Sequence, residues 1–398
     1  MRICIVNDYS IEHIGGAVSS MFEQKKALEA AGHSVTILQL GNRPKSTVFD
    51  LNGVIFIEPS FTLPRSLYDL PMLLSTPENL EKLRAILKEQ RPDVIHLQSE
   101  MSLARMTQRL AKELGVPSVY TVHTFFWQYK GIVKAPTAWF LRNALELVFR
   151  QPLHLGTPEG NVVEKTLKDI TLSAAEAAQA VISPSAHQRD TMLRAGLRTP
   201  CYVVSNPFAS SGSVPATPVS NNPQALRILW IGRCEPEKRP LEFIEAIKLA
   251  STHTKAPFTV DFIGEGSLLD DMKQRATMQG VTFHGKKTHT DTVALIDTAD
   301  ITVLSSYHFD NQPMTVVESI TRFRPVLYCD ELLSDEIGKA GYRSDGPSPE
   351  AMAKAIVALA EDRRKVVELS RHAQKQAQLF SREHFAQKMS QIYGSIRL

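Results

Sequence analysis

Short apolar runs rich in β-branched residues recur along the chain, and longer stretches with helical periodicity separate them. Near-continuous apolar runs bounded by turn residues are typical of buried β-strands. The predicted strands lie at residues 2–7, 34–40, 53–59, 92–98, 117–123 and 178–185 in the first half, and at 227–232, 258–264, 281–285, 299–305 and 324–330 in the second half. Strands that alternate with helices predict parallel sheets covered by helices on both faces.

Two such series of strands predict an α/β fold with two Rossmann-like, doubly wound parallel-sheet domains. The stretch 206–226 separates the two series; it is rich in Ser, Pro and Asn, which is typical of a linker or surface loop. We therefore expect a first domain at 1–206 and a second at 207–380. The helical pattern continues to the end of the chain, and Ser381 is suited to cap a last helix over 381–398.

Length and composition agree with two domains. The chain has 398 residues, 43% of them apolar, which is enough for two hydrophobic cores. Its 45 basic and 42 acidic residues give a formal charge of +3, so no nucleic-acid partner is expected. The four cysteines lie far apart and form no CxxC pair, so we expect reduced thiols and no zinc site.

The N-terminus and the apolar stretches indicate where in the cell the protein is found. Residues 1–10 enter a predicted strand without the basic start and apolar core of a signal peptide, so we expect a cytoplasmic protein. The most apolar stretch, 137–149, contains Arg142 and Glu146 and is shorter than the ~20 residues that span a bilayer. We therefore expect no membrane-spanning helix, and contact with the inner membrane face remains open.

Ligands of open α/β sheets bind beyond the carboxyl ends of the strands, so the residues after each strand are candidates for a site. Gly15 and Gly16 follow the first strand and precede a helix, where glycine permits close approach of a phosphate or sugar hydroxyl. His123 follows the fifth strand. The local sequence leaves an alternative open for each: the Gly-Gly pair can be a purely structural turn, and His123 can be a capping or core residue.

Two cations follow the first strand of the second half. Arg233 and Lys238 lie on one loop, where they are suited to hold a diphosphate from two sides; a solvated basic turn is the alternative. No DxD-type acidic pair for a metal-bound diphosphate follows a strand, so we expect a site without a metal ion. Gly264 and Gly266 repeat the strand, glycine, helix pattern after the next strand.

Two acids, Asp310 and Glu318, lie on either side of Pro313, between a predicted buried strand and a helix. Pro313 suits the first helical turn, so Asp310 belongs to the loop and Glu318 to the helix, about one turn in. Asp310 is placed to reach a ligand across the loop, and Glu318 to accept hydrogen bonds from a diol such as ribose. An ordinary capping acid and a surface glutamate are the alternative.

Taken together, these motifs resemble those of the retaining glycosyltransferases of family 4, which have the GT-B architecture of two Rossmann-like domains with a cleft between them. "GRCEPEK" resembles the family's Gly-Arg…Glu-Lys diphosphate clamp, and "DNQPMTVVE" stands in the place of its Glu-x7-Glu motif. The Gly-Gly pair matches the family's N-terminal glycine loop, and 92–124 matches the stretch that ends in its cleft histidine. "FSREHFAQKMSQIY" is similar to the family's last helix, which packs back on the first domain.

The resemblance implies transfer of a hexose from a UDP- or GDP-linked sugar to a hydroxyl acceptor, with no cofactor. It implies catalytic roles for His123, Asp310, Arg233 and Lys238, with Asp310 near the transferred sugar. The implied donor-binding residues, with Glu318 on the ribose, are Gly15, Gly16, Arg233, Lys238, Gly264, Asn311, Pro313, Met314, Thr315 and Glu318. Two positions depart from the family pattern, because Asp310 stands where Glu is usual and Phe323 where a glycine is usual.

Two apolar stretches of the first half, 61–74 and 125–150, lie in the domain where the resemblance places the acceptor. The second is fringed by the cations Lys130, Lys134, Arg142 and Arg150. Apolar surface with a basic fringe suits a peripheral membrane face and a lipid or cell-envelope acceptor, and the first half resembles bacterial diacylglycerol glucosyltransferases. An amphipathic helix packed in the core is the alternative.

Two other functions share this fold, and the sequence leaves both open. One is a nucleotide-sugar epimerase, and the other is a protein that binds a nucleotide sugar without catalysis. The clamp and the two acids favour an enzyme over a pure binding protein. No sequence feature specifies an oligomeric state.

Overall fold

The computed structural model describes residues 1–11, 16–45, 47, 49–63, 69–123, 135–150, 153, 161–208, 215–221 and 224–397. The chain divides into two compact units. Unit 1 comprises Met1–Pro207 and Arg382–Leu398, and unit 2 comprises Phe208–Ser381. Each unit has its own sheet and its own hydrophobic clusters.

The described part of unit 1 contains a sheet of seven parallel strands in the order β3-β2-β1-β6-β7-β8-β9, and β4 and β5 form a separate antiparallel pair. The strands are β1 (Arg2–Asn7), β2 (Ser34–Leu40), β3 (Val54–Ile57), β4 (Phe61–Thr62), β5 (Pro71–Met72), β6 (Val94–Leu97), β7 (Ser118–Thr121), β8 (Ala180–Ser183) and β9 (Cys201–Val203). The strand order reverses between β1 and β6. In a doubly wound sheet, this switch point is where a crevice opens at the carboxyl ends of the strands.

Helices cover both faces of this sheet. They are α1 (Gly16–Ala30), α2 (Pro77–Gln90), α3 (Ser102–Glu113), α4 (Ala135–Phe149), α5 (Val162–Glu176), α6 (Ala186–Arg194) and α14 (Arg382–Ser395). Successive side chains of β1 show the two-sided burial, because Cys4 packs in the cluster on one face and Ile5 in the cluster on the other. Continuous apolar strands therefore arise from burial on both faces.

The last helix belongs to unit 1. Its buried face, which includes Met389 and Tyr393, joins the same hydrophobic cluster as Phe22 of α1. Arg382 at its start donates two hydrogen bonds to one carboxylate oxygen of Glu23, at 2.9 and 2.5 Å. The C-terminal segment thus completes the core of the unit in which the chain begins.

Unit 2 repeats the arrangement with a sheet of six parallel strands in the order β12-β11-β10-β13-β14-β15, counted over its described residues. The strands are β10 (Leu226–Ile231), β11 (Phe258–Ile263), β12 (Val281–Phe283), β13 (Ile301–Leu304), β14 (Val326–Tyr328) and β15 (Gly341–Arg343). The helices are α7 (Pro240–His253), α8 (Leu269–Arg275), α9 (His289–Thr298), α10 (Met314–Thr321), α11 (Ser334–Ile337), α12 (Pro349–Glu361) and α13 (Arg363–Gln376). The switch point of this sheet lies between β10 and β13.

Every strand predicted from the apolar pattern is present, which confirms the α/β fold with two parallel sheets. The strands β9, β15, β4 and β5 were not predicted, and each has only two or three residues. The stretch 206–226, predicted as a linker or surface loop, contains the boundary between the units but is not all at the surface. Phe208 and Val219 are buried, and the backbone N–H of Val219 donates to Ser370 Oγ at 2.8 Å.

The cysteines of the structure are mostly buried. Cys4, Cys234 and Cys329 are buried, Cys201 is half-buried, and none of them forms a disulfide among the described residues. No helix in the described ranges combines the length and the apolarity that crossing a membrane requires.

Candidate functional site

Two loops of unit 2 meet at the carboxyl edge of its sheet because β10 and β13 are paired neighbours. Ile228, Leu229 and Trp230 lie beside residues 301–303 in parallel register. The loop after β10 carries the predicted diphosphate clamp, and the loop after β13 carries the predicted acids. Strand pairing therefore brings together two motifs that are about 70 residues apart in the sequence.

Lys238 and Asp310 form the contact between these loops. Lys238 Nζ lies 2.6 Å from Asp310 Oδ1, and the two side chains are only 18% and 11% exposed. Ser306 Oγ donates to the other carboxylate oxygen, Oδ2, at 2.5 Å. The ammonium also lies 5.0 Å from the centre of the Phe309 ring, a cation–π distance. The pair is thus a partly buried, charge-assisted hydrogen bond.

The core of unit 2 fixes the backbone at Lys238. The indole N–H of buried Trp230 donates to Ser305 Oγ at 2.8 Å, and Ser305 Oγ donates to the Lys238 carbonyl oxygen at 2.6 Å. A strand residue, a loop hydroxyl and the clamp loop are therefore linked in series. This arrangement holds the cation at the switch point of the sheet.

Arg233 lies at the exposed end of the same loop. Its side chain is 60% exposed and pairs with Glu237, four residues on, at 2.6 Å. Exposed pairs of this kind hold their partners weakly. Breaking this pair would therefore cost little free energy if the guanidinium bound an anion. Among the described residues, Arg233 forms no hydrogen bond with Lys238 or Asp310.

The glycines after β11 have a packing role. A Cβ at Gly264 would lie 1.8 Å from the carbonyl oxygen of Gly232, and a Cβ at Gly266 would lie 2.6 Å from the carbonyl oxygen of Cys234. The φ angles, +143° and +154°, also favour glycine. The loop after β11 therefore packs directly on the clamp loop. For Gly264, which the resemblance implies to be a donor contact, the described contact is with the protein backbone.

The loop before α10 contains the predicted donor contacts. Pro313 is the N-cap of α10 with φ −69°, one position before the first-turn place expected from the sequence. Met314 and Thr315 form the first turn of that helix. Asn311 Oδ1 is buried and has no hydrogen-bond partner in this part of the structure. The loop thus presents a polar, partly buried surface beside Asp310.

Glu318 lies one turn into α10, as the spacing predicts, and its side chain is 14% exposed. Burial raises the pKa of its carboxyl from the ordinary 4.5 to about 7. His289 Nε2 lies 3.9 Å from Oε1, and no lysine or arginine pairs with Glu318 among the described residues. A buried carboxylate without a lysine or arginine partner is suited to accept hydrogen bonds from hydroxyl groups.

A third carboxyl near this loop, that of Glu336 on α11, was missed by sequence reasoning. Burial raises its pKa to about 8, the Gln312 amide lowers it, and the Asp310 charge raises it further. No local motif could have revealed it, because Glu336 lies in the acid-rich stretch after β14, remote in sequence from Asp310. The carboxyl groups of Asp310 and Glu336 therefore interact electrostatically.

Residues His308, Asp330 and Glu331 place ligand-type atoms within 4.8 Å of one another. These atoms already bond to protein groups: His308 Nε2 lies 2.9 Å from Glu331 Oε1, and Asp330 accepts the backbone N–H groups of His308 and Leu332. The group is thus satisfied internally. The expectation of metal-independent chemistry stays a prediction.

Phe323 ends the corner after α10. It has φ +60°, in the left-handed region where glycine is unstrained, which accounts for the glycine usual at this place in the family. The Phe323 carbonyl accepts the Ser370 hydroxyl at 2.7 Å, and its N–H donates to the Ile320 carbonyl at 2.9 Å. The corner therefore keeps the left-handed conformation although a bulky residue occupies it.

In unit 1, His123 lies just after β7, beside the loop that follows β6. Its Nε2 lies 2.5 Å from Gln98 Oε1. Burial lowers the pKa of His123 to about 4, so the imidazole is neutral at pH 7. Gly16 begins α1 at the same edge of the sheet, whereas Gly15 lies outside the described residues.

The carboxyl edge of the first sheet also buries acids. Asp8 accepts the backbone N–H groups of Leu103 and Ala104 at the start of α3. Glu100 accepts the Tyr120 and Tyr9 hydroxyls, and burial raises its pKa to about 7. These groups are satisfied, so they order the edge on which His123 lies.

An open cavity of about 220 Å³ lies at the ends of β1, β2 and β3. Its lining includes Ser10, Asn42, Thr62 and Asp69, together with the apolar Ile11. A mixed wall of hydroxyl, amide, carboxylate and alkyl groups suits a small polyol or a head group.

Helix α4 lies within the second apolar stretch and has both a buried and an exposed apolar face. Leu145 and Phe149 pack in a buried cluster, so one face belongs to the core. Trp139 and Leu147, eight residues apart on the opposite side, are 63% and 77% exposed. Arg142 was expected in a basic fringe, and this is wrong, because its guanidinium pairs with buried Asp169 at 3.0 Å. Arg150 is exposed, and Lys130 and Lys134 lie outside the described residues.

Comparison with known proteins covers both units. Residues 14–209 match the profile described as Glycosyltransferase Family 4, and residues 225–362 match the one described as Glycosyl transferases group 1. An alpha-monoglucosyldiacylglycerol synthase of Acholeplasma laidlawii is 30% identical over 145 residues, 36% of this chain and 35% of that protein, so this match spans about a third of the synthase. The enzyme of the same name from Streptococcus pneumoniae is 23% identical over 387 residues, 90% of this chain and 79% of that protein.

Solved structures show the same fold. Anabaena HepE in complex with UDP superposes with a TM-score of 0.72 at 16% identity, covering 99% of this chain and 100% of that chain. At this identity the likeness concerns the fold, which is GT-B with two Rossmann-like parallel sheets.

Proposed function

Because this chain belongs to the family 4 glycosyltransferases, we propose that it transfers a hexose from a UDP-linked sugar to a hydroxyl group of a lipid acceptor. The anomeric configuration is retained and no metal ion takes part. The observation that carries the proposal is the Lys238–Asp310 pair at the switch point of unit 2, with Glu318 on the helix that follows the Asp310 loop. These residues provide a cation for the diphosphate and two carboxyl groups that can accept hydrogen bonds from sugar and ribose hydroxyls.

The donor binds to unit 2 with its diphosphate on Lys238 and Arg233 and its ribose on Glu318. In the free protein Lys238 is neutralised by Asp310, so binding transfers the ammonium from the carboxylate to phosphate oxygens. Arg233 likewise exchanges its weak surface pair with Glu237 for phosphate oxygens. The UDP bound to Anabaena HepE, a protein of the same fold, supports a uridine donor.

The transfer step forms a bond from the acceptor oxygen to the anomeric carbon as the bond from that carbon to the phosphate oxygen breaks on the same face. The acceptor proton passes to the departing phosphate oxygen, and the products are the glycoside and UDP. Lys238 and Arg233 stabilise the charge that develops on the leaving group. Asp310, released from Lys238, accepts a hydrogen bond from the sugar.

The acceptor binds to unit 1. The cavity at the ends of β1 to β3 offers hydroxyl, amide and carboxylate groups to the polar head. The exposed Trp139 and Leu147 of α4 provide an apolar surface for a membrane interface. The names of the two diacylglycerol-glycolipid synthases that this chain resembles support a lipid acceptor.

The test is an assay with UDP-glucose, UDP-galactose, UDP-N-acetylglucosamine and GDP-mannose, each supplied with vesicles that contain diacylglycerol. We expect a uridine donor to be consumed, a glycolipid with the α configuration by NMR, and no effect of EDTA. A β-linked product would contradict retention, and loss of activity in EDTA would contradict the metal-free mechanism.

The same assay separates the competing functions. Release of free hexose and UDP without a lipid product would contradict the lipid acceptor, and conversion of one UDP-sugar into its epimer would indicate an epimerase. Binding of UDP without transfer or hydrolysis would indicate a non-catalytic protein. As a control, Lys238→Met should abolish each of these activities while leaving the fold intact.

A further inference from the structure

A chain of buried polar groups extends from His123 into the core of unit 1. Gln98 Oε1 lies 2.5 Å from His123 Nε2, and the Gln98 amide nitrogen lies 2.9 Å from Gln24 Oε1 and 3.2 Å from His96 Nε2. His96 Nδ1 lies 2.7 Å from the Tyr393 hydroxyl. We name this set the His123 polar chain; its members are His123, Gln98, His96, Tyr393, Gln24 and Asn206.

Further hydrogen bonds fix both ends of the His123 polar chain. Gln24 Nε2 donates to Asn206 Oδ1 at 3.2 Å, and the Ser20 hydroxyl donates to the same oxygen at 2.5 Å. On the other branch, His96 Nε2 lies 2.6 Å from Thr121 Oγ1. Apart from His123, all members are at most 5% exposed. A fully bonded buried network is rigid, because each broken bond would leave a polar group unsatisfied in the core.

The directions of the hydrogen bonds follow from the Gln98 amide. Its oxygen has no proton, so His123 Nε2 must carry the proton and donate it. Its nitrogen donates to Gln24 Oε1 at 2.9 Å and also lies 3.2 Å from His96 Nε2. The nearer partner of His96 Nε2 is the Thr121 hydroxyl, at 2.6 Å, and this hydroxyl can either donate or accept. The Nε2–H tautomer of His123 therefore depends on the orientation of the Gln98 amide and not on the tautomer of His96.

Both chain segments that connect unit 1 to unit 2 contribute to this network. Asn206 is followed directly by Pro207, the last residue of the first segment of unit 1. Tyr393 lies on α14, in the segment that begins at Arg382. The position of Gln98 therefore depends on both segments, as well as on its own loop after β6.

We propose that Gln98 is a positioning residue that holds His123 as the Nε2–H tautomer and thereby presents Nδ1 as a hydrogen-bond acceptor to a substrate hydroxyl at the carboxyl edge of the first sheet. His96, Tyr393 and Gln24 keep the Gln98 amide in the orientation that this requires. The part concerning the substrate rests on the proposed function. The tautomer itself does not, so the two are tested separately.

The tautomer is measured by ¹⁵N NMR of the full-length protein labelled at histidine, with His123→Asn used to assign the signal. We expect wild-type His123 to be protonated at Nε2 alone. In Gln98→Met, which keeps the length of the side chain but removes its oxygen, the two tautomers should both be populated. A wild-type signal from the Nδ1–H tautomer overturns the proposal, as does an unchanged Nε2–H signal in Gln98→Met.

Gln98→Glu tests rescue. The new carboxyl, when protonated, accepts from His123 through one oxygen and donates to Gln24 through the other, so it should restore the Nε2–H tautomer. Gln108→Met is the matched control, because Gln108 is another buried glutamine of unit 1 whose amide bonds the Ala174 carbonyl at 3.0 Å and is not part of the chain. It should leave the His123 signal unchanged. A change in this control as large as that in Gln98→Met would make the effect a general loss of packing and overturn the proposal.

Kinetics test the role in transfer. Gln98→Met should lower kcat about 10-fold or more with little change in the KM for the lipid, because a misplaced contact to a reacting group slows the reaction step. Gln98→Glu should recover most of the loss, and Gln108→Met should show none. Equal kcat values for Gln98→Met and wild type would overturn the positioning role. If the wild-type protein transfers no sugar at all, the proposed function fails while the tautomer result stands.

Discussion

Lys238 Nζ lies 2.6 Å from Asp310 Oδ1, so the cation of one predicted motif and the acid of another neutralise each other in the free protein. The sequence assigned the first to the diphosphate and the second to the sugar, as independent contacts. In the proposed function, donor binding therefore replaces the partner of Lys238, so that the contact to the diphosphate and the contact to the sugar are energetically coupled.

Replacement of Lys238 by Met should weaken UDP binding about 10-fold or more, because a charge-assisted contact to phosphate is lost. Isothermal titration calorimetry with UDP measures this. Lys248→Met is the matched control, since Lys248 of α7 is in an exposed pair with Glu245 at 3.1 Å and lies outside the site. Equal affinities of the Lys238 variant and the wild type would contradict the diphosphate contact.

Asp310→Asn should bind UDP about 3- to 10-fold more tightly than the wild type, because Lys238 no longer has to leave a carboxylate before it meets phosphate. Sugar transfer should fall in the same variant, since the acceptor for the sugar hydroxyl is lost. Calorimetry and the transfer assay measure the two effects. Weaker UDP binding by Asp310→Asn would contradict the competition between carboxylate and phosphate.

Asp310→Glu addresses the departure from the family pattern. The added methylene extends the carboxylate toward the sugar, and we expect the ratio of kcat/KM values for UDP-glucose and UDP-galactose to change. Unchanged ratios would show that the shorter acid is neutral for donor choice.

Glu318 should make donor binding depend on pH. Burial raises its pKa to about 7, and only the ionised form is a pure acceptor for two ribose hydroxyls. The affinity for UDP-glucose should therefore rise between pH 6 and pH 8 as the carboxyl loses its proton. Glu318→Gln should bind with about 10-fold lower affinity at pH 8 and without this slope. A pH slope retained in the variant would assign the titration to another group.

Glu336 should lower the stability of the protein at high pH. Its folded pKa, about 8, lies above the ordinary 4.5, so the folded protein holds the proton more tightly than the unfolded chain. This contribution is present in full below pH 4.5 and is lost as pH rises through 8. Relative to wild type, Glu336→Gln should gain on the order of 3 kcal/mol in the free energy of unfolding between pH 5.5 and pH 9. Urea unfolding at both pH values measures the gain, and parallel curves would show that this carboxyl does not titrate abnormally.

Trp139 and Leu147 should contribute to membrane binding. The double change Trp139→Ser and Leu147→Ser removes two exposed apolar side chains of α4, and we expect at least about 10-fold weaker sedimentation with anionic vesicles. Leu193→Ser on α6 is the control, because Leu193 is also exposed, at 46%, but belongs to another helix. An equal loss in both proteins would make the effect nonspecific.

The sequence predicted where the candidate residues lie, because a parallel sheet places the ends of its strands at one edge. The structure places His123, Lys238 and Asp310 after strands and Glu318 on the helix that follows one, and their roles stay predictions. Gln98 also follows a strand, but a glutamine after an apolar run carries no signal of its own. Only the hydrogen bond to His123 distinguishes it from other buried amides.

The sequence by itself determined the α/β class and the two series of strands, because apolar runs separated by helices are typical of parallel sheets that helices cover. The tertiary structure alone decided which strands are neighbours. The pairing of β10 with β13 brings Lys238 to Asp310, and the pairing of β6 with β7 brings Gln98 to His123. It also gave Gly264 its packing role and Arg142 its inner partner. Contacts between distant residues depend on strand order and burial, and neither quantity is present in a local stretch of sequence.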